Sequence, residues 1–247
     1  VFRTLYTLLI YLFSPLALFL LYRPRKGKKG YAERWKEHLG YIPKLKAREP
    51  LWLHAVSVGE VVAATPVIRE LKQRHPELPI LLTTTTRTGA EQAASLADLV
   101  EHRYAPLDFP GAIRRFLNKT SPRALLIMET ELWPNLLAQC HKRNIPALVL
   151  NARLSDRTCR RYRRFLGLFK GMQRNLKKIL CQHKPDADNF RALGVPDSKI
   201  SITGSVKFDI NYPAELIEKA HSFRKTLGCK RPIWIAASTH KGRMSSS

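Results

Sequence analysis

Acidic residues are the scarce class in this chain: 19 Asp and Glu stand against 43 Lys and Arg, a formal charge of +24 over 247 residues. That deficit disfavours cationic partners and favours acidic ones such as nucleic acid, anionic lipid or a phosphorylated substrate. Cysteine is also sparse. Cys140, Cys159, Cys181 and Cys229 lie far apart, without the paired spacing of zinc sites or dithiol redox motifs, so a reducing compartment and no metal are expected. There is neither a Gly-x-Gly-x-x-Gly run nor a Walker loop, which argues against dinucleotide and P-loop functions. No known nucleic-acid-binding motif is present, so nucleic acid is not expected as a partner. Internal repeats are absent, and the one low-complexity tract is Ser245 to Ser247. What remains is 45% apolar, enough to exclude wholesale disorder and to bury a core.

The longest uncharged stretch runs from Thr4 to Tyr22, with Arg3 before it and Arg23, Arg25, Lys26, Lys28 and Lys29 after it. Nineteen residues just reach across a bilayer, and a dense cationic flank marks the cytoplasmic side. No small-residue cleavage site follows, so a retained anchor, spanning or lying in the interface, is expected over a removed signal peptide. Beyond a basic connector that ends near Arg48, short apolar runs alternate with helical patterns. Strands are predicted at 51–56, 80–84, 101–105, 124–128, 147–150, 178–182 and 199–203, and helices at 60–75, 89–97, 111–118, 133–143, 157–176, 185–193 and 213–227. Strict alternation predicts an α/β fold, a Rossmann-like and mostly parallel sheet with helices on both faces. Residues 231–240 read as one more buried strand with too little chain after it to complete a second domain.

Ligands of such sheets bind beyond the strand ends, and three strand-to-loop junctions carry suitable chemistry. In Leu51 to Glu60 an apolar run stops at Gly59 and places the Glu60 carboxylate at a helix start, where the partial positive charge of the helix end is expected to keep it ionised. It is a candidate base, or a capping residue. In Ala124 to Asn135 a buried strand ends in Glu129 and Glu131, a pair suited to proton transfer or charge stabilisation. The alternative has Glu131 capping the next helix while Trp133 fills the core. In Ile202 to Ile210 a Gly-Ser turn presents Lys207 and Asp209. The run Thr83 to Gly89 offers hydroxyls, Arg87 and free amides as either an anion cradle or ordinary capping. Between Arg157 and Lys178 lie nine cations and no acid, interleaved with apolar residues, a pattern suited to anionic membrane surfaces.

Five strings occur in order: His-Ala-Val-Ser-Val-Gly-Glu (54 to 60), Met-Glu-Thr-Glu-Leu-Trp-Pro-Asn (128 to 135), Asn-Ala-Arg-Leu-Ser (151 to 155), Thr-Gly-Ser-Val-Lys-Phe-Asp (203 to 209) and Trp-Ile-Ala-Ala-Ser-Thr-His (234 to 240). With them the chain resembles the 3-deoxy-D-manno-octulosonic acid (Kdo) transferases of lipopolysaccharide synthesis. The resemblance implies the N-terminal half of a two-Rossmann-domain GT-B glycosyltransferase, with a CMP-Kdo donor, a lipid A precursor (lipid IVA) as acceptor, and neither metal nor other cofactor. It implies an anchor and basic flank over 1–30, an acceptor-binding domain over 31–230 and the first strand of a donor-binding domain over 231–247. It places the protein at the bacterial inner membrane, catalytic domain on the cytoplasmic side, in contact with anionic lipid. Carried over by motif, Glu60 is the general base, with Glu129 and Lys207 steadying the transition state. Ser57, Gly59, Arg87, Glu131 and Arg153 are the expected substrate contacts. The pattern departs after His240, where Lys241 and Arg243 stand in place of the acids expected from the family. The donor half is then missing, and the polypeptide alone is expected to be inactive. A non-catalytic membrane-surface module binding anionic lipid is the alternative.

Overall fold

The computed structural model of the chain describes residues 2–22, 32–206, 214–228 and 232–234. It divides into two compact units, Val1–Asp209 and Ile210–Ser247. The second contains helix α9 (Ala214–Leu227). The sequence-read strand at 231–240 falls mostly outside the described residues, as do Lys207 and Asp209.

The first unit is built on seven parallel strands: β1 (Leu51–His54), β2 (Ile80–Thr84), β3 (Glu101–Tyr104), β4 (Ala124–Met128), β5 (Ala147–Ala152), β6 (Leu176–Cys181) and β7 (Ile200–Ile202). Their order is β3-β2-β1-β4-β5-β6-β7. The chain first winds outward from β1, then returns to β1's other edge and winds the opposite way. Neighbouring residues of one strand enter different cores. Trp52 and Leu81 join a cluster with Phe116, Leu125 and Ile127, while Leu53 and Leu82 join one with Val61, Ile68 and Met128. Both faces of the sheet are therefore covered, as an all-parallel sheet requires.

The covering helices are α2 (Val58–Arg74), α3 (Arg87–Ala93), α4 (Pro110–Thr120), α5 (Pro134–Lys142), α6 (Asp156–Arg164), α7 (Leu166–Arg174) and α8 (Lys184–Ala192). Helix α2 runs through Pro66, at the cost of the N–H that the Val62 carbonyl would have received. The single helix expected over 157–176 is corrected. It breaks at Phe165, whose backbone (φ −121°, ψ 40°) is not helical, and Leu176 pairs with Ala147 as the first residue of β6. Sheet pairing claims residues that helical periodicity would otherwise extend through. A 3-10 helix (Ala32–Leu39) occupies the expected connector. Its buried Glu37 accepts both Arg34 nitrogens (2.9 and 3.0 Å) and the Tyr104 N–H (2.6 Å), which fixes the segment to the sheet edge.

Helix α1 (Phe2–Tyr22) corrects the bilayer-spanning length read from the sequence. No helix among the described residues is long and apolar enough to cross a membrane. Arg3, Thr4, Thr7 and Ser14 dilute its apolar character, and one stripe of it faces the protein. Tyr6, Thr7, Ile10, Ser14, Leu18 and Tyr22 recur at helical spacing and are half-buried, whereas Phe2, Leu5, Leu8, Leu12, Phe13, Leu16 and Phe19 are exposed. Polar contacts hold the packed stripe. Thr7 Oγ1 shares its hydrogen between the Arg3 carbonyl (2.8 Å) and Asn135 Oδ1 (3.0 Å), Arg3 donates to the same Asn135 oxygen (3.4 Å), and Tyr22 Oη meets His38 Nδ1 (2.7 Å). Asn135 in turn donates through Nδ2 to the Asp108 carbonyl (2.8 Å). The Asp108 carboxylate caps α5 by accepting the N–H groups of Asn135 (3.0 Å) and Leu136 (2.7 Å). Capping of this kind satisfies donors that a helix start leaves open.

Asn135 thus joins α1 to the head of α5 while fully buried. Asn135→Ala is expected to cost about 1–3 kcal/mol in urea unfolding and to raise amide exchange in α1 well before global unfolding. Unchanged α1 exchange in the variant would show that apolar packing alone seats the helix.

Candidate active site at the switch point

The winding direction reverses between β1 and β4, and the C-terminal ends of these two strands bound the crevice where open α/β sheets bind ligands. From β1 the chain enters α2 through Ala55, Val56 and Ser57. Glu60 occupies the third helical position and turns back on the loop. Its Oε2 accepts the Val56 N–H (2.8 Å) and its Oε1 accepts the Ser57 hydroxyl (3.1 Å). Ser57 is the N-cap residue, yet its side chain accepts no helix N–H and instead donates its hydroxyl to the Glu60 side chain. The Val56 carbonyl receives Thr85 N (3.1 Å), Thr85 Oγ1 (3.2 Å) and Thr86 Oγ1 (3.4 Å), tying this loop to the one after β2.

Glu60 is 6% exposed, and burial pushes its carboxyl from the ordinary value of 4.5 up to about 7. The Val56 N–H and Ser57 hydroxyl pull the other way, while the nearby Glu131 and Glu129 carboxylates raise it further. The helix end was expected to keep this acid firmly ionised. Desolvation outweighs that partial charge, so Glu60 sits near half-protonation at neutrality.

Glu129 directly follows β4 with φ 57°, and its N–H donates to the Leu150 carbonyl (2.9 Å). Asn151, near the end of the adjacent strand, also has a positive φ (54°). Left-handed backbone at two non-glycine residues on neighbouring strand ends is strained, and strain of this kind concentrates at functional sites. Thr130 Oγ1 binds Arg153 from both sides, donating to its carbonyl and accepting its N–H (3.2 Å), so the loops after β4 and β5 move together. Asn151 Oδ1 accepts the Val206 N–H (3.3 Å), which ties the residue preceding Lys207 to the same edge. Glu131 does not cap α5, since Asp108 already does, and instead accepts the Trp133 indole N–H (3.4 Å).

Glu60, Glu129, Glu131, Ser57, Gly59 and Arg153 therefore all lie at the C-terminal edge of β1, β4 and β5, Gly59 and Glu60 in the first turn of α2 and the others on loops. A Cβ built at Gly59 meets nothing within 4 Å, so this exposed glycine is not required by packing. Arg87 opens the short α3 after β2 and faces Glu91 at 3.7 Å, and Thr86 caps that helix through the Gly89 N–H (3.1 Å). The threonine run does ordinary capping work here. No group of His, Cys, Asp and Glu among the described residues is arranged to hold a metal ion. Sequence reasoning passed over His54, Thr130, Asn151 and Asp108, because their contacts are made across the sheet edge to residues distant in sequence. The positions of the first three inside quoted motifs were the available signal.

The raised Glu60 carboxyl has a thermodynamic consequence. The folded protein holds this proton more tightly than the unfolded chain, so the Glu60 contribution to stability is fully present below about pH 4.5 and is lost as pH rises through 7. Glu60→Gln is expected to flatten the pH dependence of unfolding free energy over that window by up to ~1.4 kcal/mol per pH unit. Asp108, pushed by burial to about 7, continues to contribute a fall in the variant. Equal slopes in both proteins would place the Glu60 carboxyl at its ordinary value.

The family model described as 3-deoxy-D-manno-octulosonic-acid transferase (kdotransferase) matches residues 33–210. A 3-deoxy-D-manno-octulosonic acid transferase of Haemophilus influenzae is 41% identical over 97% of this chain and 57% of its own length. One from Bordetella pertussis is 36% identical over 78% of this chain and 45% of its own. The chain spans about half the length of these relatives. Among solved structures, the UDP-GlcNAc 2-epimerase of Neisseria meningitidis aligns with 70% of this chain and 54% of its own, at 17% identity and a TM-score of 0.49.

Proposed function

The chain belongs to the 3-deoxy-D-manno-octulosonic-acid transferase family, and we propose that it forms the acceptor-binding half of a GT-B enzyme that transfers Kdo from CMP-Kdo to a lipid A precursor. The observation that carries this reading is the placement of Glu60. A buried carboxyl near half-protonation, at the switch point of the sheet, is matched to proton transfer at neutral pH. In the proposed step Glu60 takes the proton of an acceptor hydroxyl as its oxygen bonds to the anomeric carbon of Kdo. The bond from that carbon to the CMP phosphate breaks, and CMP leaves with the electron pair. Glu129 favours positive charge developing on the sugar, and Lys207, the next residue in sequence after Val206, neutralises the leaving phosphate or the Kdo carboxylate. Ser57 orients Glu60, while Gly59, Arg87, Glu131 and Arg153 bound the acceptor side. No metal or other cofactor is assigned a role.

The acceptor is lipid-borne, and α1 supplies the matching surface. With one mixed stripe on the protein and a mostly apolar side exposed, α1 lies in the membrane interface on the cytoplasmic face of the bacterial inner membrane. Helix α7, which packs beside α1, follows directly from α6, whose Arg160, Arg161, Arg163 and Arg164 are exposed and meet anionic headgroups. This surface also supports a second reading of the 247-residue polypeptide on its own, as a membrane-surface module binding anionic lipid without turnover.

Transfer of labelled Kdo to lipid IVA is the test. The polypeptide alone is expected to show little or no transfer. Fused to the C-terminal portion of the Haemophilus influenzae relative it is expected to be active, with Glu60→Ala losing about 10²–10⁴-fold in rate. Wild-type rates in the Glu60→Ala fusion would overturn the assignment. Vesicle co-sedimentation tests the surface: replacing Arg160, Arg161, Arg163 and Arg164 by Ala should weaken binding to phosphatidylglycerol vesicles at least about tenfold, with little change on neutral vesicles.

A further inference from the structure

Two of the motif strings meet below the acids, at His54 and Trp133. His54 is fully buried, and burial lowers its imidazole to about 4, so it is neutral at physiological pH. Thr83 Oγ1 lies 2.8 Å from Trp52 Nε1 and 3.0 Å from His54 Nδ1. Indole can only donate, so the Thr83 oxygen accepts from Trp52, and the threonine's own hydrogen is then free to go to Nδ1. The other ring nitrogen, Nε2, makes no hydrogen bond among the described residues. The imidazole packs nearly edge to face on Trp133, with centroids 4.8 Å apart and planes at 74°. Trp133 has its backbone fixed independently, by Pro134 at the first position of α5 and by the Asp108 cap on the next two residues. Its side chain is only half-buried, and its Nε1 points to the Glu131 carboxylate (3.4 Å).

We propose that Trp133, seated on His54, is a positioning residue that holds the Glu131 carboxylate on the Glu60 side of the switch-point crevice. The fully buried Trp52 gives its N–H to a neutral hydroxyl on the neighbouring strand, whereas Trp133 packs against the core cluster and stays half-buried. Here the polar end is spent on an acid that no helix cap uses, and the aromatic end on a histidine locked by Thr83 and Trp52. The chain of contacts Trp52, Thr83, His54, Trp133, Glu131 runs from strands β1 and β2 to the acids after β4. Among the described residues, the charged groups acting on Glu60 are Glu131 and Glu129 from the loop after β4. Its own loop and the loop after β2 offer Val56 N–H, Ser57 and the hydroxyls of Thr85 and Thr86, and His54 beneath is uncharged. Fixing Glu131 therefore sets how readily Glu60 keeps a proton. The inference deepens the reading of Glu60 as the base and rests on it for its catalytic meaning.

The test is carboxyl 13C NMR of the glutamate-labelled chain, with the Glu60 signal assigned by its loss in Glu60→Gln. The wild-type midpoint is expected near 7. Glu131→Gln should lower it by roughly half a pH unit or more. Trp133→Phe, which keeps a ring on His54 and removes the N–H, should lower it in the same direction by a smaller amount. In the Glu131→Gln background Trp133→Phe should add no further shift, because its effect passes through Glu131. Additive shifts, or no shift in Trp133→Phe, would overturn the proposal. Should the Phe variant fail to fold, Trp133→Tyr gives the same cycle with a ring retained and the donor moved. An uncoupled cycle removes the relay while leaving Glu60 as base. An active Glu60→Ala fusion removes the base and leaves the relay's midpoint shifts intact.

Discussion

The bond between the Val56 N–H and the Glu60 carboxylate is the constraint on which the site depends. Among the described residues it keeps a buried acid at the tip of β1 through a backbone donor and the Ser57 hydroxyl, with no ion pair. An ion pair would have held the carboxyl ionised. Backbone and hydroxyl bonds compensate part of the desolvation cost and leave the proton exchangeable near neutrality. The loop that makes this possible is stitched to the neighbouring loop by three donors on the Val56 carbonyl, so the geometry is a property of two strand ends rather than of one turn.

A second dependence runs outward from the same edge. Asp108 caps α5, Asn135 lies on that cap, and α1 lies on Asn135. The helix that meets lipid in the proposed function is thereby joined through short polar bonds to the element that carries Trp133 and follows Glu131. Membrane contact and acid geometry share one scaffold, and this accounts for polar residues at Arg3, Tyr6 and Thr7 within an otherwise apolar helix.

Most of the sheet was legible beforehand because parallel strands buried on both faces read as short apolar runs between helical patterns. The ends of β2 and β4 agree with that reading to the residue, and the remaining strands differ by a residue or two, mostly at their ends. The long helix expected over 157–176 was misread for a physical reason. Its apolar residues continue at helical spacing across Phe165, and nothing local announces that Leu176 will pair with Ala147. The 3-10 helix at Ala32–Leu39 escaped notice in the same way, since Glu37 is anchored by Tyr104, far along the chain.

The acids themselves were legible, because a carboxylate just after an apolar run that ends at a turn has few places to go but a strand tip. Composition, alternation and motif order determined the α/β class and the position of Glu60, Glu129 and Glu131 just after strand ends, all of which depend on residues close together in the chain. Only the tertiary structure decided that Glu60 is nearly half-protonated, that Asp108 rather than Glu131 caps α5, and that α1 lies on the protein with one face bare. Each of those depends on desolvation or on partners tens of residues away, and neither quantity exists until the sheet has closed around them.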